Sequence, residues 1–180
     1  MEIDKIIPEV VHRYFAASLG LLAIVLVFIA FKEQKMKIES LALLLIIIGQ
    51  GIFGYLTVSL KLHPLIVTSH LFGAMIVTSL FLIIFMKSLK ITNSYLILLR
   101  NKPYIIVGFV LIAFQIFLGA WTSTNYAARA CLDLPYCQGQ LIPNTNFEEG
   151  FNLFQSIGPN YLYGQMSNEA RVAIHLTHRI

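Results

Sequence analysis

Charge is what this sequence has least of. Only 12% of its 180 residues are Asp, Glu, Lys or Arg, about half the share found in a soluble domain. That scarcity excludes a chain built to be dissolved in water. Cysteine is nearly absent too: Cys131 and Cys137 are the two in the sequence, and no C-x-x-C marks a thioredoxin-like redox motif. No cleavable leader is expected, because the first apolar run reads as a full span with no small-residue cleavage site after it. The net charge of +4 does not point to nucleic acid, since the basic residues fall between apolar runs rather than in one patch.

What is present is hydrocarbon: 57% of residues are hydrophobic and the mean hydropathy is +0.75. Tyr14–Phe31, Leu41–Leu60, Leu65–Met86 and Tyr104–Trp121 each approach the roughly 20 residues that cross a bilayer core. A fifth run begins near Arg171 and reaches Ile180. The expected fold is all-α, a polytopic transmembrane helix bundle. Its spans are placed at about 9–31, 41–60, 64–86 and 103–121, within a bundle covering 1–121. A loop over 122–168 and the start of another span at 169–180 follow.

Lys32, Lys35 and Lys37 follow the first run, and Lys87, Lys90, Arg100 and Lys102 separate the third from the fourth. The positive-inside rule makes that side cytoplasmic. The N-terminus, the SLKLHP turn and the segment from Thr122 to Asn168 are then expected to be extracytoplasmic. An exported loop meets oxidising conditions, so a Cys131–Cys137 disulfide is the default reading, with redox-active thiols as the other.

Pro8 suits the first turn of a helix, where its missing N–H is no loss. That start puts Glu9, His12 and Arg13 in the outermost turns of the first span. In the second span Gly49, Gly51 and Gly54 permit close approach of helices in lipid. Ser167 or Asn168 is a candidate cap for the final helix. A faint repeat runs through the chain: Gln50, Gly54 and Thr57 share their spacing with Gln115, Gly119 and Thr122, and His12-Arg13 recurs as His178-Arg179. Together these suggest a duplicated four-helix-bundle architecture.

Ionisable groups inside a membrane span are costly, so each is a functional candidate. His12 lies about 6 Å below Pro8, and His70 about 9 Å below Pro64, at the helical rise of 1.5 Å per residue. Two imidazoles at similar depth on different helices suit the axial ligation of a haem iron. The alternative is that each hydrogen-bonds a neighbouring helix. Glu9, one turn before His12, can orient the imidazole or accept a proton, or else answer the helix dipole. Arg13 and Arg179 can clamp haem propionates or snorkel to lipid phosphate. His178 is a better ligand candidate than His175, since it takes the place of His12 in the repeated pair. His63, at a turn, reads as a solvated loop histidine.

Glu9-x-x-His12-Arg13, then GQGIFGYLTV, then His70, then QIFLGA, CLDLPYCQGQ and HLTHR in that order resemble the haem A synthase family over nearly the whole chain. The resemblance implies eight transmembrane helices in two similar halves, of which this chain matches the second to fifth, the second outer loop and the start of the sixth. It implies a membrane oxidoreductase that oxidises a methyl of haem O to the formyl of haem A for terminal oxidases. His12 and His70 would then ligate the substrate haem, with Glu9 assisting the chemistry beside the oxidised methyl. His178 would ligate a haem b cofactor whose second histidine lies on helices not present here. Cys131 and Cys137 match the cysteine pair of the family's second outer loop. A bacterial plasma membrane or mitochondrial inner membrane is implied, with haem O and a haem O synthase as partners. The electron donor is left unnamed, and a homo-oligomer is left open. Two other classes share some of these features: a bis-histidine b-type cytochrome that only passes electrons, and a membrane thiol–disulfide oxidoreductase.

Overall fold

The computed structural model describes residues 3–89, 101–157 and 166–179. Lys90, Arg100 and Ile180, named above, lie outside the described residues, as do loop positions 158–165. Regular structure among the described residues is helical, as expected: α1 (Ile3–Lys32), α2 (Lys37–Ser59), α3 (Pro64–Ser88), α4 (Lys102–Thr124), a short 3-10 turn (Ala127–Arg129), α5 (Phe147–Gly150) and α6 (Asn168–Arg179). The first four are long and apolar enough to cross a membrane.

The start of α1 differs from expectation. The helix begins at Ile3, so Pro8 lies inside it rather than in its first turn. Proline's fixed φ is compatible with helix, and its missing N–H removes one bond to the carbonyl four residues back. That carbonyl belongs to Asp4, close to the helix end, where the loss is small. Tight turns join the next helices. Gln34 and Met36 take left-handed φ values of 56° and 54° between α1 and α2. Lys61 and Leu62, at 50° and 61°, reverse the chain between α2 and α3, and Pro64 then opens α3.

Two compact units are present, one formed by Met1–Ile52 and Gly73–Asn93, the other by Phe53–Phe72 and Ser94–Ile180. In the first, Leu43 of α2 is fully buried against Val77 and Ile84 of α3, with Leu26 of α1 beside them. Ala23 and Ala30, seven residues apart on α1, are also buried, in keeping with the small residues that let helices meet in lipid. Gly73 does the same for α3: a Cβ there would overlap the Gln50 amide. An ion pair between Lys87 and Glu39 ties the end of α3 to the start of α2. Much of the remaining surface is apolar, with Tyr14, Phe15 and Phe28 each over 70% exposed, as suits helices whose solvent is hydrocarbon.

The second unit packs around Trp121, near the end of α4. Its indole is fully buried with Ala127, Met166, Ala170 and Ile174, stacks on Phe117 at 5.8 Å, and donates Nε1–H to the Gly150 carbonyl at 2.8 Å. The tight fit at Gly150 is why glycine stands there: a Cβ would meet the Ala170 carbonyl oxygen at 2.8 Å. Ser167 caps α6, its Oγ accepting from the Ala170 N–H at 3.3 Å. Glu149 accepts in turn from the Ser167 hydroxyl at 2.6 Å and its N–H at 2.7 Å. These bonds, with Arg171 nearby, hold the Glu149 carboxyl below its ordinary range.

Candidate functional site

The EVVHR segment occupies the early turns of α1 in the first unit. Glu9, His12 and Arg13 share one helix face by their spacing, and all three are exposed. Arg13 Nη2 donates to Glu9 Oε1 at 2.6 Å, so the acid and the arginine of this cluster are paired with one another along the helix.

His70 and His178 belong to the second unit, and both meet a glycine. His70, half-buried on α3, has its ring against Gly54 of α2, where an added Cβ would lie 3.6 Å from Cε1. His178, half-buried on α6, has its ring against Gly119 of α4. A Cβ there would lie 3.3 Å from Cε1 and 3.6 Å from Nε2. Gly54 and Gly119 are the glycines of the two Gln-x-x-x-Gly-x-x-Thr segments. The repeat therefore corresponds to a repeated contact, an imidazole laid against helix backbone where no side chain intervenes. The threonines return their hydroxyls to their own helices, Thr57 to the Gly54 carbonyl and Thr122 to the Leu118 carbonyl, each at 2.7 Å. Gln115 completes the second copy: its Nε2 lies 3.2 Å from His178 Nδ1 and 3.2 Å from the His178 carbonyl oxygen.

Arg179 points elsewhere. Its guanidinium donates to the carbonyls of Asp133 at 2.6 Å and Tyr136 at 3.1 Å, within the loop closed by the Cys131–Cys137 disulfide. The Asp133 carboxylate accepts from the backbone N–H groups of Gly139 at 2.8 Å and Gln138 at 2.9 Å. The Gly139 bond is the main reason its pKa is lowered, with Asp133's own N–H, Gln138 and the Arg179 charge adding to it. Both cysteines are buried against Val172 of α6. His175 Nδ1 lies 2.9 Å from the Ala127 carbonyl. Val172, His175 and Arg179 thus present one face of α6 to the loop, while His178 is turned to α4.

Sequence reasoning ranked His178 above His175 from the repeat and assigned His175 no role. It missed two features. Gln115 was seen as part of a repeat but not as the neighbour of a histidine 63 residues away. His63, expected to be solvated, is half-buried, with Nε2 2.9 Å from the Gln155 carbonyl. Neither contact leaves a local sequence signal.

The donor chemistry fits haem iron: imidazole nitrogens carried on helices, with the His70 and His178 rings each lying against a glycine that has no side chain to intervene. The fold and these residues define an integral membrane protein of helical architecture. The family profile described as COX15-CtaA, cytochrome oxidase assembly protein, matches residues 2–180, and the chain belongs to that family. It is 37% identical over 183 residues to a heme A synthase of Shewanella oneidensis, covering all of this chain and 56% of that protein. To a heme A synthase of Halalkalibacterium halodurans it is 28% identical over 170 residues, 87% of this chain and 55% of the relative. The chain thus spans about half the length of the curated relatives it matches. No solved structure matches it.

Proposed function

We propose that the protein is a haem-dependent membrane oxidoreductase converting haem O to haem A, and that this chain carries the first-half substrate site together with part of a second haem site. Family membership over residues 2–180 and the heme A synthase relatives carry this reading. Neither an electron-transfer-only cytochrome nor a thiol–disulfide oxidoreductase has comparable support.

In this reading His12 and His70 would hold the substrate haem, and His178 would hold a haem b. The bound haems would supply the redox chemistry. Glu9 takes or returns a proton beside the oxidised methyl. Arg13 donates to it at 2.6 Å and holds it in place along the helix. Arg13 and Arg179 are the candidate propionate contacts. Arg179 has two donors already committed to loop carbonyls, so Arg13 is the better placed of the two. The apolar helix faces exclude water from the ring. The cysteine loop lies on the extracytoplasmic side of a bacterial plasma membrane or mitochondrial inner membrane, following the lysines at Lys32, Lys35, Lys37 and Lys87 on the opposite one. Haem O would arrive from a haem O synthase or from the membrane.

The test uses the protein expressed from its complete coding sequence and purified in detergent. His12→Ala and His70→Ala should each disturb the low-spin bis-imidazole haem spectrum. Glu9→Gln should keep the spectrum but lose turnover of haem O. Normal turnover in Glu9→Gln would leave an electron-carrying cytochrome, and an unchanged spectrum in both histidine variants would remove the site assignment.

A further inference from the structure

We propose that the disulfide loop is seated on the membrane, its aliphatic side chains entering the headgroup–acyl boundary of the leaflet at the C-terminal end of α4. The proposal needs only that α4 crosses the bilayer, and it stands apart from the haem assignments.

The depth of the loop follows from helix register. α6 runs antiparallel to α4, with Ile174 packed in the Trp121 cluster and His178 reaching Gly119 and Gln115. Cys131 and Cys137 are buried against Val172, with Leu176 beside them, and Arg179 takes the carbonyls of Asp133 and Tyr136. From Val172 to Arg179 is about 10 Å at the helical rise. The ring is therefore level with the last turns of α4, a helix long and apolar enough to span, rather than beyond its end. Phe114, lower on α4, is exposed and belongs to the apolar surface that lipid covers.

At that level the loop presents hydrocarbon. Leu132, Leu134, Leu141 and Ile142 are 85%, 80%, 70% and 90% exposed. Aliphatic surface in such density marks a covered face. From Cys131 to Asn146 the single charged residue is Asp133, and its carboxylate is occupied by the N–H groups of Gly139 and Gln138. Backbone close to lipid needs its polar groups answered within the protein. Arg179 answers two carbonyls, Asp133 two N–H groups, and Cys137 and Gln140 exchange backbone bonds at 2.8 and 3.1 Å. Arg129, exposed just before the ring, supplies a cation that can snorkel to lipid phosphate. Interfacial segments sit about 5–10 Å into this boundary, which is the depth that the register gives. A protein partner approaching from water leaves that depth unexplained.

The test places a nitroxide label at Ile142→Cys or Leu141→Cys, in the protein expressed from its complete coding sequence and held in nanodiscs of phosphatidylcholine and phosphatidylglycerol. Cys131 and Cys137 are joined to each other, so the introduced thiol takes the label. Power-saturation EPR compares collisions with oxygen, which concentrates in lipid, and with a nickel chelate, which stays in water. Oxygen should dominate at 141 and 142, and nickel at Glu148→Cys on α5. Either loop site decides the matter alone if the other variant fails to accumulate. Nickel dominating at the loop sites, as at 148, puts the loop in water and overturns the proposal. Low access to both reagents means that protein, not lipid, covers the loop, and overturns it equally.

Discussion

His12-Arg13 on α1 and His178-Arg179 on α6 start from the same dipeptide and end in different surroundings. Arg13 turns back along its own helix to Glu9, and both side chains stay at least half exposed. Arg179 leaves its helix to hold two carbonyls of the disulfide loop, while His178 lies on Gly119 beside Gln115. A repeated motif fixes which groups are available, and the segments around it decide what they hold. At the first site an acid is kept beside a histidine. At the second the arginine is used to fasten a loop, and the histidine is left to the neighbouring helix.

The largest effect that tests this contrast is expected at Trp121. Truncating a buried tryptophan costs about 3–5 kcal/mol, and Trp121→Ala also leaves the Gly150 carbonyl without its donor. Limited proteolysis in detergent should then cut within 131–157 while the α1–α2 turn keeps its resistance. Equal sensitivity at both places would erase the distinction between the regions.

Next come the two arginines. Hydrogen bonds from a charged donor are worth about 1.5–3 kcal/mol, whereas an exposed i,i+4 ion pair gives roughly 0.3–0.5 kcal/mol. Arg179→Leu should therefore lower the denaturant midpoint of the loop region clearly, and Arg13→Leu barely. Similar shifts would mean that the two pairs are equivalent after all.

Removing the disulfide comes third. A ring of this size constrains the unfolded chain by about 2 kcal/mol in the chain-entropy account. Hydrogen exchange in the Cys131,Cys137→Ser variant should quicken around Asp133 and Arg179 and stay unchanged in α1. Faster exchange in α1 would show that the loop supports more than its own unit.

The smallest effect is acid sensitivity. Asp133 and Glu149 both have folded-state pKa values lowered, so the unfolded chain binds protons first. Their stabilising contribution is present above the unfolded carboxyl values, near pH 4, and is lost as pH falls through the folded ones. Exchange at Gln138 and Gly139 should accelerate over that interval beyond its intrinsic pH dependence, and Asp133→Asn should remove the acceleration. A variant that keeps the full acid response would assign it elsewhere.

The membrane helices were readable because lipid imposes a length and an apolarity on any span, and Leu41–Leu60 or Leu65–Met86 display both. The cysteine pair was readable because cysteines are so rare here that each one stands out, and the proposed roles of Glu9, His12 and Arg13 start from the same rarity of charge. Pro8 misled, since a residue that suits a helix start is also tolerated in a second turn. The glycine cradles were half legible: the repeated spacing was visible, but spacing within one helix cannot name the ring that arrives from another. Arg179 shows the same limit. Its propionate and lipid readings rest on charge alone, while the carbonyls of Asp133 and Tyr136 reach it only through the path of a loop that sequence pattern does not specify.

Trp121 is the single tryptophan among these 180 residues, and it stands two positions from Gly119. Indole emission in the near ultraviolet overlaps porphyrin absorption in part, so a macrocycle held beside His178, as proposed, would drain its excited state. Emission from this one indole would then gauge the proposed haem site, dimmer once a macrocycle is added than before.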